Sequence, residues 1–285
     1  MQQRNILITG ANRGLGFTLL SHLVSSGWNG TIFAACRSHS AFQAACDKLK
    51  LSPQTKLEFL TLDLEKGETI TALAAELAQK GQFLDFVINN AALLGEEKTL
   101  TARKIFKVNF YNTMFLNQEL IKSKRIKSGG RIIFISAILG NNAMFIDPMI
   151  GKCIKNASFD DLMLFSNSII KEIDDQNHLA EIVYPDYMLP IYSLSKLFLN
   201  RFSELFGNHG DVKDQSISVY CCHPGWLATS EFNSHAPLKA EEGIKIILYL
   251  MEMPASKETQ GKLYGRDRQV KDIWNPNFDY KNNIV

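Results

Sequence analysis

A chain of 285 residues, 46% of them hydrophobic, has material for one α/β domain or two small ones around a sizeable core. Its 31 basic and 29 acidic residues leave a net charge of +2, which gives no electrostatic reason to expect nucleic acid or an anionic membrane as a partner. Apolar runs such as 132–139 and 244–250 fall well short of the ~18 residues of a membrane span; Met1–Arg4 is polar, the five cysteines form no CxxC pair and the six histidines show no metal-ligand spacing, so a cytoplasmic protein without metal is expected.

The first strand, Asn5–Thr9, runs into a glycine-rich turn that opens a helix over Gly14–Ser25. Glycines allow a tight turn and close backbone approach, and the free N–H groups of a helix start can hold a pyrophosphate. Gly10, Asn12, Arg13, Gly14, Leu15 and Gly16 are therefore candidate cofactor contacts. The second strand, Thr31–Cys36, ends in Arg37-Ser38 before a helix over Ser40–Lys50. About 20 residues past the turn an acid would bond an NAD ribose; Arg37 suits the 2′-phosphate of NADP instead, with Ser38 beside it and Arg13 as a second charge.

A third strand, Lys56–Leu60, leads to Asp63-Leu64, where Asp63 is suited to accept from an adenine amino group, and then to a helix over Glu68–Lys80. The fourth strand, Phe83–Asn89, ends in Asn90-Ala91. These residues fall where open α/β sheets bind ligands, although each type also serves as a cap or turn former. One helix is read over Thr99–Ser123, with the basic stretch Lys122–Lys127 as a solvated helix end followed by a turn at Gly129 and Gly130. A fifth strand spans Arg131–Ser136.

The interval 137–191 is too long for a bare connection. Within it Phe159–Gln176 reads as an amphipathic helix with Leu162, Phe165, Ile169 and Ile173 on one stripe. Packing on the sheet domain, a lid over the substrate cleft and a cover on an oligomerisation surface all remain open for it. A helix over Ile191–Phe206, a strand Ser216–Cys222, a helix Lys239–Met251 and a short strand Lys262–Tyr264 follow. Strand and helix alternate throughout, which means a doubly wound parallel α/β sheet, the Rossmann fold, in a single domain 1–285 with a helical insertion at 137–191. Cys221 and Cys222 read as buried thiols at a strand end, although a vicinal disulfide is conceivable, and His223 as a packed histidine.

Tyr192 and Lys196 stand four apart on a helix, hence on one face. The ammonium beside the phenol favours the ionised form, so Tyr192 is a candidate for proton exchange near neutral pH.

T-G-A-N-R-G-L-G, N-N-A, a serine closing the fifth strand, Y-x-x-x-K and P-G-W occur in the order of the short-chain dehydrogenase/reductase family, and the chain resembles that family over nearly its whole length. With Arg13, Arg37, the long interval before Tyr192 and C-C-H-P-G-W-L-A-T-S, it is similar to the NADPH-dependent carbonyl reductases, typically monomers. The resemblance implies that Ser136 holds the substrate carbonyl, Tyr192 is the general acid, Lys196 lowers its pKa and grips the nicotinamide ribose, and Asn109 holds a relay water. It also implies that Pro224, Gly225, Trp226 and Thr229 line the nicotinamide, with Trp226 equally readable as core or substrate wall. Ala92 and Asn112 stand where the family usually has glycine. The expected activity is NADPH-dependent reduction of small aldehydes or ketones; an oxidative NAD(P)-dependent alcohol or steroid dehydrogenase and a non-catalytic nucleotide sensor are the rivals. Met144, Phe145, Ile146 and Phe232 favour an apolar substrate.

Overall fold

The computed structural model describes residues 3–47, 49–94, 101–141, 148–176, 189–229, 234–275, 277–279 and 282–283. Strands β1 (Ile6–Thr9), β2 (Gly30–Cys36), β3 (Thr55–Thr61), β4 (Leu84–Asn89), β5 (Ile126–Ile135), β6 (Ser218–Cys222) and β7 (Leu263–Tyr264) form one sheet in the order β3-β2-β1-β4-β5-β6-β7. Every adjacent pair is parallel, so all strands end on the same side. The order reverses between β1 and β4, and this switch point opens the ligand crevice of a doubly wound sheet.

The helices are α1 (Gly14–Ser25), α2 (His39–Cys46), α3 (Gly67–Gln79), α4 (Ala102–Phe106), α5 (Asn112–Lys122), α6 (Pro148–Asn156), α7 (Phe159–Gln176), α8 (Pro190–Gly207), α9 (Gly210–Asp214) and α10 (Ala240–Glu252). One face of the sheet is sealed by Leu19, Phe42 and Ile247 of α1, α2 and α10 against Ile32 and Ile133. On the other face Leu73, Phe106, Leu120, Leu197 and Phe202 pack on Leu7, Phe33 and Phe134. Covered on both sides, β1, β2 and β6 are buried along their whole length.

Three expectations change. The helix read over Thr99–Ser123 is described from Ala102, where the Thr101 hydroxyl accepts from Lys104 N at 3.2 Å, and it is broken by a π-helical turn at Lys107–Tyr111. The Lys122–Lys127 stretch holds a helix end and then the start of β5, not a helix end before a glycine turn. The chain turns at Lys124, with φ +54°, and Gly129 and Gly130 lie inside β5, where the β4–β5 register shifts between Leu84 and Phe86. A bulge absorbs extra residues without ending the strand. Helix α2 stops at Cys46, four residues short of the expected Lys50.

Within the insertion, a reciprocal cap starts α7: Ser158 Oγ donates to Asp161 Oδ2 at 2.6 Å and accepts from Asp161 N at 3.2 Å. The inner stripe is Leu162, Ser166, Ile170 and Ile173, with Phe165 and Ile169 at its half-buried edge. Tyr111 Oη lies 2.8 Å from Ser166 Oγ, and Arg103 pairs with Asp174 at 3.3 Å. These contacts lay α7 along α4 and α8, so its place is packing on the helical layer.

Candidate active site

The cofactor end is built on the turn after β1. Gly10 and Gly14 have φ +66° and +54°, in the left-handed region that favours glycine. A Cβ on Gly16 would stand 2.5 Å from both Gly10 O and Asn90 Nδ2, so only glycine lets α1 start this close to β1 and β4. The N-cap, Arg13, is extended and offers no side-chain bond, and the first turn of α1 carries no acid. That helix end suits an anion. Asn12 is half-buried and Arg13 exposed, while the Leu15 side chain goes into the core.

Asn90 is a tie as well as a lining residue. Its N–H donates to Thr9 Oγ1 at 3.0 Å and its Nδ2 to Thr9 O at 2.9 Å; Ala91 N also donates to Thr9 Oγ1. Asp63 closes the turn before α3, accepting from Glu65 N at 3.0 Å, and the Leu64 side chain is core. Ser38 caps α2, its Oγ accepting from Ala41 N at 3.2 Å. The Arg37 side chain is 62% exposed and stands 3.7 Å from Glu65. Asn112, one of the two departures, donates from Nδ2 to Leu64 O at 2.7 Å, a bond that glycine lacks.

The catalytic end is buried. Pro190 opens α8 at a position where its missing N–H costs nothing, and the helix brings Lys196 Nζ to 5.5 Å from the centroid of the half-buried Tyr192 ring. Lys196 is 3% exposed and donates to Ile135 O at 2.8 Å. Burial pushes the Tyr192 phenol above its ordinary value and pulls Lys196 down to about 8. The net direction is therefore opposite to the expected lowering of the phenol, because burial outweighs the ammonium that stands over its ring. Ser136 follows β5; its N–H donates to Cys222 O at 2.8 Å and its Oγ to Lys196 O at 3.4 Å.

Asn109 sits in the π turn, a common device for aiming a side chain at a site. It is 1% exposed, accepts from Leu93 N at 2.7 Å and donates to Leu93 O at 2.8 Å and Ser195 Oγ at 3.0 Å. Both amide protons are thus spent on protein partners, which makes its side chain a clamp. Ser195 Oγ donates in turn to Tyr192 O at 2.7 Å, a link that no sequence motif flagged.

Asn200, one turn beyond Lys196, was also missed. It donates to Ala137 O and Gly140 O at 3.2 and 3.0 Å and accepts from Cys221 Sγ at 3.3 Å. Its amide fixes the turn that follows Ser136. Cys221 and Cys222 are free and buried, and burial pushes the Cys221 thiol up to about 12.

From β6, His223 N donates to Tyr264 O at 2.8 Å, and Gly225 turns the chain with φ +96°. A Cβ on Gly14 would stand 3.3 Å from Thr229 Cβ, so Thr229 overhangs the glycine turn. Trp226, 37% exposed, meets the His235 ring edge-on at 5.1 Å. Met144, Phe145, Ile146 and Phe232 lie outside the described residues. Among the described residues no group of three His, Cys, Asp or Glu is placed to hold a metal ion, and no helix is long and apolar enough to cross a membrane. The glycine cradle, the uncapped start of α1 and the cations Arg13 and Arg37 fit a phosphorylated dinucleotide.

Comparison with known proteins gives the same picture. The family model described as short chain dehydrogenase matches residues 4–149. Carbonyl reductase (NADPH) 1 of Mus musculus is 26% identical over 276 residues, covering 93% of this chain and 96% of that protein. The short-chain dehydrogenase anuI of Penicillium roqueforti is 26% identical over 265 residues, covering 90% and 92%. Among solved structures, salutaridine reductase from Papaver somniferum superposes with a TM-score of 0.76 at 21% identity, covering 92% of this chain and 99% of that one. The NADPH-bound carbonyl reductase from chicken fatty liver gives 0.63 at 20% identity, covering 95% and 99%.

Proposed function

Because this chain belongs to the short-chain dehydrogenase family of oxidoreductases, we propose that it reduces small aldehydes or ketones to alcohols with NADPH. What carries the reading is the meeting of Ser136 with Lys196 O at 3.4 Å and of Lys196 Nζ with the Tyr192 ring at 5.5 Å, in a sheet whose switch point holds a glycine cradle. NADPH, when bound, supplies the hydride. Ser136 donates a hydrogen bond to the substrate oxygen and orients the carbonyl. Tyr192, which burial keeps protonated, gives its proton to that oxygen as negative charge grows there. Lys196, with a pKa of about 8, carries its charge at neutral pH and stabilises the phenolate that Tyr192 leaves behind. Gly10, Asn12, Gly14, Leu15 and Gly16 would offer backbone to the pyrophosphate, Arg13, Arg37 and Ser38 would hold the 2′-phosphate, and Asp63, Leu64, Asn90 and Ala91 would border the adenosine half. Pro224, Gly225, Trp226 and Thr229 would flank the nicotinamide.

In this reading the protein is a cytosolic single domain, and α7 packed on α4 and α8 supports a monomer. Following NADPH absorbance with quinones, aromatic aldehydes and steroids tests the activity: consumption of NADPH with a carbonyl is expected, whereas binding without consumption across the panel makes the chain a nucleotide sensor.

A further inference from the structure

The ends of β2, β3 and α4 bring three charged side chains together beside the cofactor crevice. Arg37 Nη1 lies 3.7 Å from Glu65 Oε1 and Lys104 Nζ lies 3.2 Å from Glu65 Oε2, so one carboxylate bridges two cations. The acid is the better fixed of the three. Its backbone N–H is tied to Asp63 Oδ1 at 3.0 Å, and its side chain is 29% exposed, against 62% for Arg37 and 38% for Lys104. Arg37 follows the last residue of β2 and Lys104 rides on α4, which Thr101 caps.

Resting on Arg37 as the partner of the NADPH 2′-phosphate, we propose that Glu65 is a resident counter-anion that this phosphate displaces, and that the freed Lys104 becomes its second cation. A guanidinium makes paired, charge-assisted hydrogen bonds to phosphate, which a single 3.7 Å ion pair with a carboxylate does not match. The exchange therefore runs toward phosphate, but the displaced carboxylate stays close and repels the new anion. Glu65 thus weakens NADPH binding, and Lys104 strengthens it. NADH has no 2′-phosphate, so neither residue bears on it. The pair sets the ratio between the two cofactors without touching the reacting atoms.

The test is binding of NADPH and NADH, read by quenching of tryptophan fluorescence, and of adenosine 2′,5′-bisphosphate by calorimetry. Glu65→Gln is expected to tighten NADPH and the bisphosphate about three- to fivefold, the size of an exposed charge interaction, with NADH changed less than about twofold. Lys104→Met is expected to weaken the same two ligands by a similar factor. Unchanged or weaker NADPH binding in Glu65→Gln, or an equal change for NADH, overturns the counter-anion role; unchanged NADPH binding in Lys104→Met overturns the second cation. Arg37→Met separates the premise: if it leaves NADPH binding intact, the 2′-phosphate reading itself fails, whereas loss there with no gain in Glu65→Gln removes this inference alone.

Discussion

The two ends of the crevice are built by opposite means. Around the half-buried Tyr192 the supporting polar groups are buried and bonded to protein: Asn109 is 1% exposed, Ser136 2% and Lys196 3%. At the other end the contacts are partly exposed ion pairs, Arg37 with Glu65 at 3.7 Å and Lys104 with Glu65 at 3.2 Å. Water screens the second set and not the first. Chemistry is therefore fixed rigidly at one end, while cofactor choice at the other is set by small, adjustable charge effects.

Lys196→Met should break that contrast most sharply. Carbonyl reduction is expected to fall by about 100-fold or more, while stability changes little, because the relief from desolvating a buried charge offsets the lost hydrogen bond to Ile135 O. Steady-state rates and a urea midpoint check both halves. The same residue sets a pH dependence. Its folded pKa, about 8, lies below its ordinary value of 10.5, so the charge is present below pH 8 and lost as pH rises through it. Reduction should decline over that window. Stability should rise from about pH 8 toward 10.5, because the unfolded chain holds the proton more tightly there.

Asn200→Ala comes next. It strips the donor from Ala137 O and Gly140 O and should cost roughly 1–3 kcal/mol in urea unfolding, with a lower kcat as the Ser136 turn loosens and an unchanged NADPH Kd.

At the solvated end, Arg37→Asp should weaken NADPH by about tenfold or more and leave NADH nearly unchanged. Equal losses would remove the phosphate role. Smallest of all, raising salt from about 50 to 500 mM should weaken NADPH a few-fold while kcat stays level; a fall in kcat of the same size would erase the contrast between the ends.

The contrast also explains what could be read from the sequence. Strand and helix periodicity, the glycine turn and the Tyr192–Lys196 spacing are local patterns, and the doubly wound parallel sheet and the pairing on α8 follow from them. The π turn at Lys107–Tyr111 leaves no local mark, since K-V-N-F reads as ordinary helix. Ser195, Asn200 and the bridge from Glu65 to Lys104 depend on elements that meet only through space, 86 positions apart in the case of Asn109 and Ser195. Gly129 and Gly130 misled because glycine marks a bulge as readily as a turn. The phenol was misjudged because proximity to a cation is visible in spacing, whereas burial is not.

The most direct test is Tyr192→Phe, with turnover and NADPH binding measured on the same preparation. A proton delivered by that hydroxyl means NADPH binding within about twofold of wild type and carbonyl reduction down by about 100-fold or more. Reduction near the wild-type rate in a folded Tyr192→Phe protein would contradict it.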